Sequence, residues 1–320
     1  VGAAVLPLMQ FSKRCGRGAR GKATLARGNT STVAMSQRRS LQMQKIRVIP
    51  VLLLKEWGIE KSIRFQDPVY IGSPINAARV FNGRNVDELI LLDIVATERK
   101  RPPIIEVISQ ITEEAFMPVT VGGGIRDIST IRELLTAGAD RVVINTCAVE
   151  QPNLVTQAAD RFGSQCVVVS VDAKRNPDGS YEVYTHGGTR ATGLDPVSHA
   201  RRMQDIGCGE ILLTSIDRDG TMDGYDLELT QRVSDSLTIP LIACGGAGSV
   251  EHLADAVGVG HASAVAAGAF FLFFGQRRTV LLTYPNDNEL TQAFDPSQIR
   301  LKTSNPTVLP DGAVKQGNGK

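Results

Sequence analysis

Two glycine clusters carry the first chemical signal. Gly122-Gly123-Gly124 and Gly245-Gly246-Ala247-Gly248 each follow an apolar β-type run and precede a helix-period run. Backbone without side chains lets amides point at an anion there, and the helix dipole adds attraction. A single cluster of this kind could be a tight turn without a ligand. Two of them, at matching places in the two halves of the chain, point to a pair of phosphate cradles facing each other. Asp172, in Val171-Asp172-Ala173-Lys174-Arg175, closes a third β-type run, where a carboxylate can transfer protons; a salt-bridged structural aspartate is the alternative. Asp217, Asp219 and Asp223 could suggest a cation loop, but the residues after them lack the ligand count and terminal glutamate of a calcium hand. That stretch reads as a backbone-rich loop near a phosphate, and no metal site is expected.

These residues need elements to hold them. From Ile46 onward, β-branched runs alternate with helix-period segments, the pattern of parallel strands joined by crossover helices. Strands are predicted at 46–54, 88–94, 118–122, 141–145, 166–172, 210–216, 240–244 and 263–267. Their near-continuous Val/Ile/Leu content suits strands covered on both faces. Helices are predicted at about 74–83, 103–115, 127–137, 151–161, 195–206, 226–236 and 249–258. Eight strand-helix units favour a closed TIM (β/α)₈ barrel over a doubly wound sheet. Both glycine clusters and Asp172 then lie at the C-terminal ends of strands, where the active sites of such barrels are built.

An internal repeat supports two fused half-barrels. Met117-Pro118-Val119-Thr120-Val121-Gly122-Gly123-Gly124 returns as Ile239-Pro240-Leu241-Ile242-Ala243-Cys244-Gly245-Gly246, about 122 residues later. The run from Glu88 to Ile94 likewise echoes that from Glu210 to Ile216.

Bulk properties exclude several classes. The chain has 320 residues, 42% apolar and 21% charged, and no apolar run reaches the length of a membrane span. Its five cysteines are odd in number and free of CxxC or Cys/His spacing, so neither a disulfide framework nor a zinc site is indicated, and a cytoplasmic, reducing location is expected. The net charge of +2 conceals eight basic and no acidic residues in 1–42. The remainder is therefore near about −6, which argues against nucleic acid as partner. Residues 1–42 read either as a basic tail upstream of a start at Met43 or as an organelle-import peptide. The barrel is expected over 43–297, and the Ser/Asn/Pro/Gly/Lys-rich stretch 298–320 is expected to be disordered.

The motifs Thr120-Val121-Gly122-Gly123-Gly124-Ile125, Ala139-Asp140-Arg141-Val142-Val143-Ile144-Asn145-Thr146, Val171-Asp172-Ala173-Lys174-Arg175 and Thr214-Ser215-Ile216-Asp217-Arg218-Asp219-Gly220-Thr221, with Gly245-Gly246-Ala247-Gly248, resemble the cyclase subunit of imidazole glycerol phosphate synthase. The resemblance runs from about Lys45 to Phe270. It implies a class I glutaminase partner, ammonia passed through the barrel, a bis-phosphorylated substrate and no cofactor. By the same resemblance, one phosphate is held near Gly124, Asn145 and Thr146, and the other near Asp219, Gly220, Gly246, Ala267 and Gly268, with Thr214 also on the substrate side. Lys61 matches the family's mobile-loop lysine. Arg47, Glu88, Arg141 and Glu210 match in charge the ring that gates the ammonia channel, and Asp140 and Gln165 match positions facing the glutaminase.

One departure limits the analogy. The family's first strand ends in Cys-Leu-Asp-Val-Lys, whose aspartate is one of two catalytic carboxylates, whereas this chain has Val51-Leu52-Leu53-Leu54-Lys55. Leucine at 53 can neither give nor accept a proton. Downstream, the segment from Phe270 to Pro285 replaces the long closing helix. Both changes resemble the divergent paralogues associated with amidation of surface sugars, which implies a role beside an ATP-dependent sugar amidotransferase. Two readings stay open beside it: a true cyclase of histidine biosynthesis using Asp172 and a replacement acid, and a non-catalytic conduit for ammonia.

Overall fold

The computed structural model describes residues 45–275, 277–295 and 297 of the chain. The expected tails at 1–42 and 298–320 lie outside the described residues. Eight strands close on themselves: β1 (Arg47–Lys55), β4 (Leu89–Asp93), β5 (Val119–Gly122), β6 (Arg141–Ile144), β7 (Val167–Arg175), β10 (Glu210–Ser215), β11 (Leu241–Cys244) and β12 (Ala264–Ala267). Each pairs in parallel with the next, β10 pairs with β7, and β12 returns to β1. The predicted barrel is the observed one, with every predicted strand in place.

Alternation along the strands sorts the core into two layers. Ile49, Val51, Ile90, Val143, Val168, Leu212, Ile242, Ala264 and Ala266 fill the barrel interior. Their neighbours Val48, Leu52, Leu91, Val142, Val169, Leu213 and Val265 face outward under the helices. This two-sided burial is why the strands read as continuous apolar runs.

Crossovers are made by helices α1 (Pro74–Asn82), α2 (Ile105–Glu114), α3 (Ile128–Thr136), α4 (Thr146–Glu150), α5 (Asn153–Phe162), α6 (Pro196–Asp205), α7 (Leu227–Ser234) and α8 (Val250–Gly258). The internal repeat is visible in their caps. Asp127, at φ −153° and ψ 166°, accepts from the Thr130 amide to start α3. Ser249, at φ −152° and ψ 169°, accepts from the His252 amide to start α8.

Three features exceed the expected strand-helix alternation. A hairpin of β2 (Gly58–Ile63) and β3 (Gln66–Gly72) grows from the end of β1. β7 runs past its expected end because its last residues pair antiparallel with β8 (Tyr181–Thr185), which pairs with β9 (Arg190–Ala191). After β12, the chain forms one short turn, α9 (Ala269–Leu272), then a hairpin of β13 (Phe273–Phe274) and β14 (Thr279–Val280). It returns along the barrel through Tyr284, whose ring stacks on Phe271 at 5.4 Å and whose hydroxyl donates to the Val48 carbonyl at 3.0 Å. A last helix, α10 (Asp287–Ala293), packs beside α8 through Leu290. No helix among the described residues is long and apolar enough to cross a membrane.

Candidate functional site

At the C-terminal mouth, Asp172 ends the inward face of β7 and stands beside Thr214 on β10 in the parallel register. The Ser170 hydroxyl donates to its carboxylate at 2.8 Å. Burial raises the Asp172 carboxyl to about 6, the Ser170 bond opposes that, and the nearby Asp219 charge adds to it. A carboxyl in that range can exchange protons near neutral pH.

Lys61 lies in the connection between β1 and α1. It sits on strand β2 of that connection, with its side chain buried and its ammonium 2.7 Å from the Asp219 carboxylate. β2 is held there by β1 and β3, and the Arg64 amide donates to the Asp219 carbonyl at 2.8 Å. The hairpin therefore sits over the mouth, and Gly268 supports this closeness: a Cβ on it would stand 3.1 Å from the Lys61 Cε. Asp217 also has its own partner, the Arg175 amide at 2.8 Å.

The glycine turns repeat in detail. Gly123 has φ 101° and Gly245 φ 89°, where a side chain is strained. A Cβ on Gly123 would collide with the Asp93 carbonyl oxygen, and one on Gly245 would stand 2.7 Å from the Ser215 carbonyl oxygen. Asp93 and Ser215 are the equivalent ends of the second and sixth barrel strands. In the first half, the Gly124 amide reaches the Thr97 hydroxyl at 3.3 Å. Asn145 donates to the Ser170 carbonyl at 3.2 Å, and the Thr146 hydroxyl receives the His186 amide at 3.1 Å. In the second half, Gly220 lies against Ser62, the Gly246 carbonyl accepts from the Gly224 amide at 2.8 Å, and Ala267 and Gly268 follow at the end of β12. The expected cradle residues thus lie after neighbouring strands, β5 and β6 in the first half and β10, β11 and β12 in the second.

Leu53 pairs in register with Leu92 across β1 and β4, and both pack on the interior apolar layer. β1 and β7 are four strands apart in either direction, so Leu53 and Asp172 face each other across the barrel. One acidic wall meets one hydrocarbon wall.

At the opposite end, four charges close a ring. Arg47 donates to Glu88 at 2.7 Å and also pairs with Glu210, while Arg141 pairs with both Glu88 and Glu210. Both glutamates are nearly inaccessible, and the Thr120 hydroxyl donates to Glu88 at 2.7 Å. Each arginine offers a planar fork that spans two carboxylates, so the ring is neutral and closed. Asp140 and Gln165 are exposed on the same end, just before β6 and β7; Asp140 accepts from the Val119 amide at 2.8 Å.

Sequence reasoning missed Ser170, the strand character of Lys61, the tie from β8 to Asn145 and from the following His186 to Thr146, and the placement of Arg278 against Gly220. For β8 a signal existed: Tyr181-Glu182-Val183-Tyr184-Thr185 alternates and comes after a turn-rich Asn176-Pro177-Asp178-Gly179.

A parallel eight-stranded barrel with duplicated glycine turns at the mouth defines a half-barrel-duplicated α/β class. The chain belongs to the family described as Histidine biosynthesis protein, whose model matches residues 47–276, from the first barrel strand to the β13–β14 turn. Members of that family are generally isomerases or cyclases.

Proposed function

We propose that this chain is the ammonia-using synthase subunit of a glutamine amidotransferase complex, serving amidation of a surface-sugar precursor. The observation that carries the reading is the closed Arg47-Glu88-Arg141-Glu210 ring over one end of an apolar barrel. A structural role alone asks for no four-way exchange of partners at the axis. A gate does, because a docking glutaminase that brings its own charges can re-pair these ions, whose separation without a new partner would be costly. Neutral ammonia then crosses an interior lined by Val51, Ile90, Val168 and Leu212, where an ammonium ion would be strongly disfavoured. It emerges beside Asp172, at a mouth whose two glycine turns would hold a phosphorylated substrate.

Asp172 would accept or return protons at the mouth, while activation of a sugar carboxylate for attack by ammonia, with loss of the activating group, would fall to the ATP-dependent sugar amidotransferase beside it. Leu53 favours sugar amidation over imidazole ring closure, since a paired acid and base need a second carboxylate that this wall lacks. The two retained glycine turns favour the second reading, a histidine-pathway cyclase.

Two assays separate these ideas. In the complex reconstituted with its glutaminase, Arg141→Ala is expected to abolish glutamine-dependent turnover while ammonium-dependent turnover persists; equal loss with both nitrogen sources removes the channel. Incubating the full chain with the bis-phosphorylated ring precursor and ammonium salt is expected to leave the precursor intact, whereas its consumption would establish the cyclase reading.

A further inference from the structure

The segment beyond the family match brings one unassigned cation to the mouth. Arg278 sits in the β13–β14 hairpin, its backbone amide bonded to the Gly275 carbonyl at 3.1 Å and its φ at 51°. Its guanidinium donates to the Gly220 carbonyl oxygen, in the loop after β10, and lies over the Phe273 ring at 5.5 Å from the ring centre. A guanidinium has five N–H donors in a rigid fork. The Gly220 contact leaves most of them undirected, and no carboxylate among the described residues pairs with Arg278.

Its neighbours differ. Lys61, a second cation against this loop, is neutralised by Asp219, and Arg64 points its Nε at the Asp217 carbonyl at 3.1 Å. Arg278 binds a carbonyl and no carboxylate among the described residues, so its charge remains available to an incoming anion at Gly220, beside those of Arg64 and the more exposed Arg218. Phe273 fixes one face of the guanidinium plane and Gly220 fixes one edge, which leaves a pre-set fork instead of a mobile surface arginine.

We propose that Arg278 is a ligand-binding residue of the C-terminal-half cradle, gripping the phosphoryl group that Gly220, Gly246 and Gly268 would approach by backbone. This rests on the reading of the two glycine turns as phosphate cradles. It adds that the grip comes from residues outside the family match, through the hairpin that stands where the family would have a long closing helix. A helix in that position would offer amide donors and its dipole; the hairpin offers a full positive charge.

The test is a titration of the full chain with inorganic phosphate, followed by phosphorus NMR line broadening, for wild type, Arg278→Ala, Arg278→Lys and the neighbouring Arg277→Ala. Wild type is expected to bind two phosphates. Arg278→Ala should weaken one site about tenfold and leave the other unchanged, as befits loss of a charge-assisted contact. Arg278→Lys should recover part of the loss, and Arg277→Ala should bind as wild type does. Thermal melts accompany each titration. Unchanged phosphate binding by Arg278→Ala, with or without a lowered melting temperature, makes Arg278 a tether for the hairpin and overturns the proposal while the cradles stand. Absence of phosphate binding by wild type overturns the cradles and Arg278 together.

Discussion

Replacing Asp172 by asparagine should stabilise the barrel, and only above a definable pH. The carboxyl is raised from an ordinary 3.8 to about 6, with burial as the main cause. Two pKa units correspond to about 3 kcal/mol of preference for the protonated form. A raised carboxyl pKa means that the folded state takes up its proton first as pH falls. The wild type is therefore relatively most stable below about pH 4, and it loses that contribution as pH rises through 4 to 6. Asparagine is neutral throughout and can still accept from the Ser170 hydroxyl. Its amide nitrogen needs a new acceptor, which trims the gain, so the expected benefit at pH 8 is about 1 to 3 kcal/mol, falling to about zero near pH 4. For a barrel of this size that is a rise of roughly 2 to 10 °C in melting temperature. Urea unfolding of both proteins at pH 4, 6 and 8 measures it. The readout is the variant-minus-wild-type difference, because His199, pushed down to about 4 by burial and then by Arg202, acts in both proteins with the opposite sign. A difference that is flat with pH, or a variant less stable at pH 8, would refute the reasoning.

Lys61→Met strands the buried Asp219 carboxylate and should cost about 3 to 5 kcal/mol in urea melts, with the Lys61→Met, Asp219→Asn double variant regaining much of it. Gly123→Ala combines a positive φ with a collision at the Asp93 carbonyl; a loss above about 2 kcal/mol is expected in the same melts, and a change within 0.5 kcal/mol, roughly the spread of neutral surface substitutions, would contradict the turn geometry. Leu53→Asp buries a second carboxylate against Leu92 and opposite Asp172, so it should destabilise the fold above pH 6 by about 2 kcal/mol or more. If the missing acid alone separates this chain from cyclase chemistry, the same variant should consume the ring precursor with ammonium.

The barrel was legible because parallel strands buried on both faces write themselves as apolar runs, and because the duplicated Gly-Gly turns mark two strand ends. The caps extend that duplication to Asp127 and Ser249, which a sequence reader could have paired by the same offset. What escaped was built by contacts between distant segments. Lys61 sits on a strand because β2 finds partners in β1 and β3 and a further tie in the Asp219 carbonyl. Gly58-Ile59-Glu60-Lys61-Ser62-Ile63 by itself offers only weak alternation. Ser170 gave no signal, since a serine within an apolar strand becomes meaningful only when its hydroxyl is seen on Asp172. Arg278 belongs to a stretch whose apolar period fails, and only the folded hairpin brings it to Gly220.

The cost of Asp172 bears on whether the barrel is a catalyst or merely a duct. A passive conduit gains nothing from a carboxyl whose ionised form is disfavoured by burial, and the opposite wall carries Leu53 where the resemblance implies an acid. Retaining a destabilising group beside the point where ammonia would emerge is the pattern expected of a working site. The contrast is open to direct measurement: in the reconstituted complex, Asp172→Asn should abolish product formation while glutamine hydrolysis by the partner continues. Normal turnover by that variant would show that the carboxylate does no chemistry, and would make the barrel a passage through which ammonia is delivered to another enzyme.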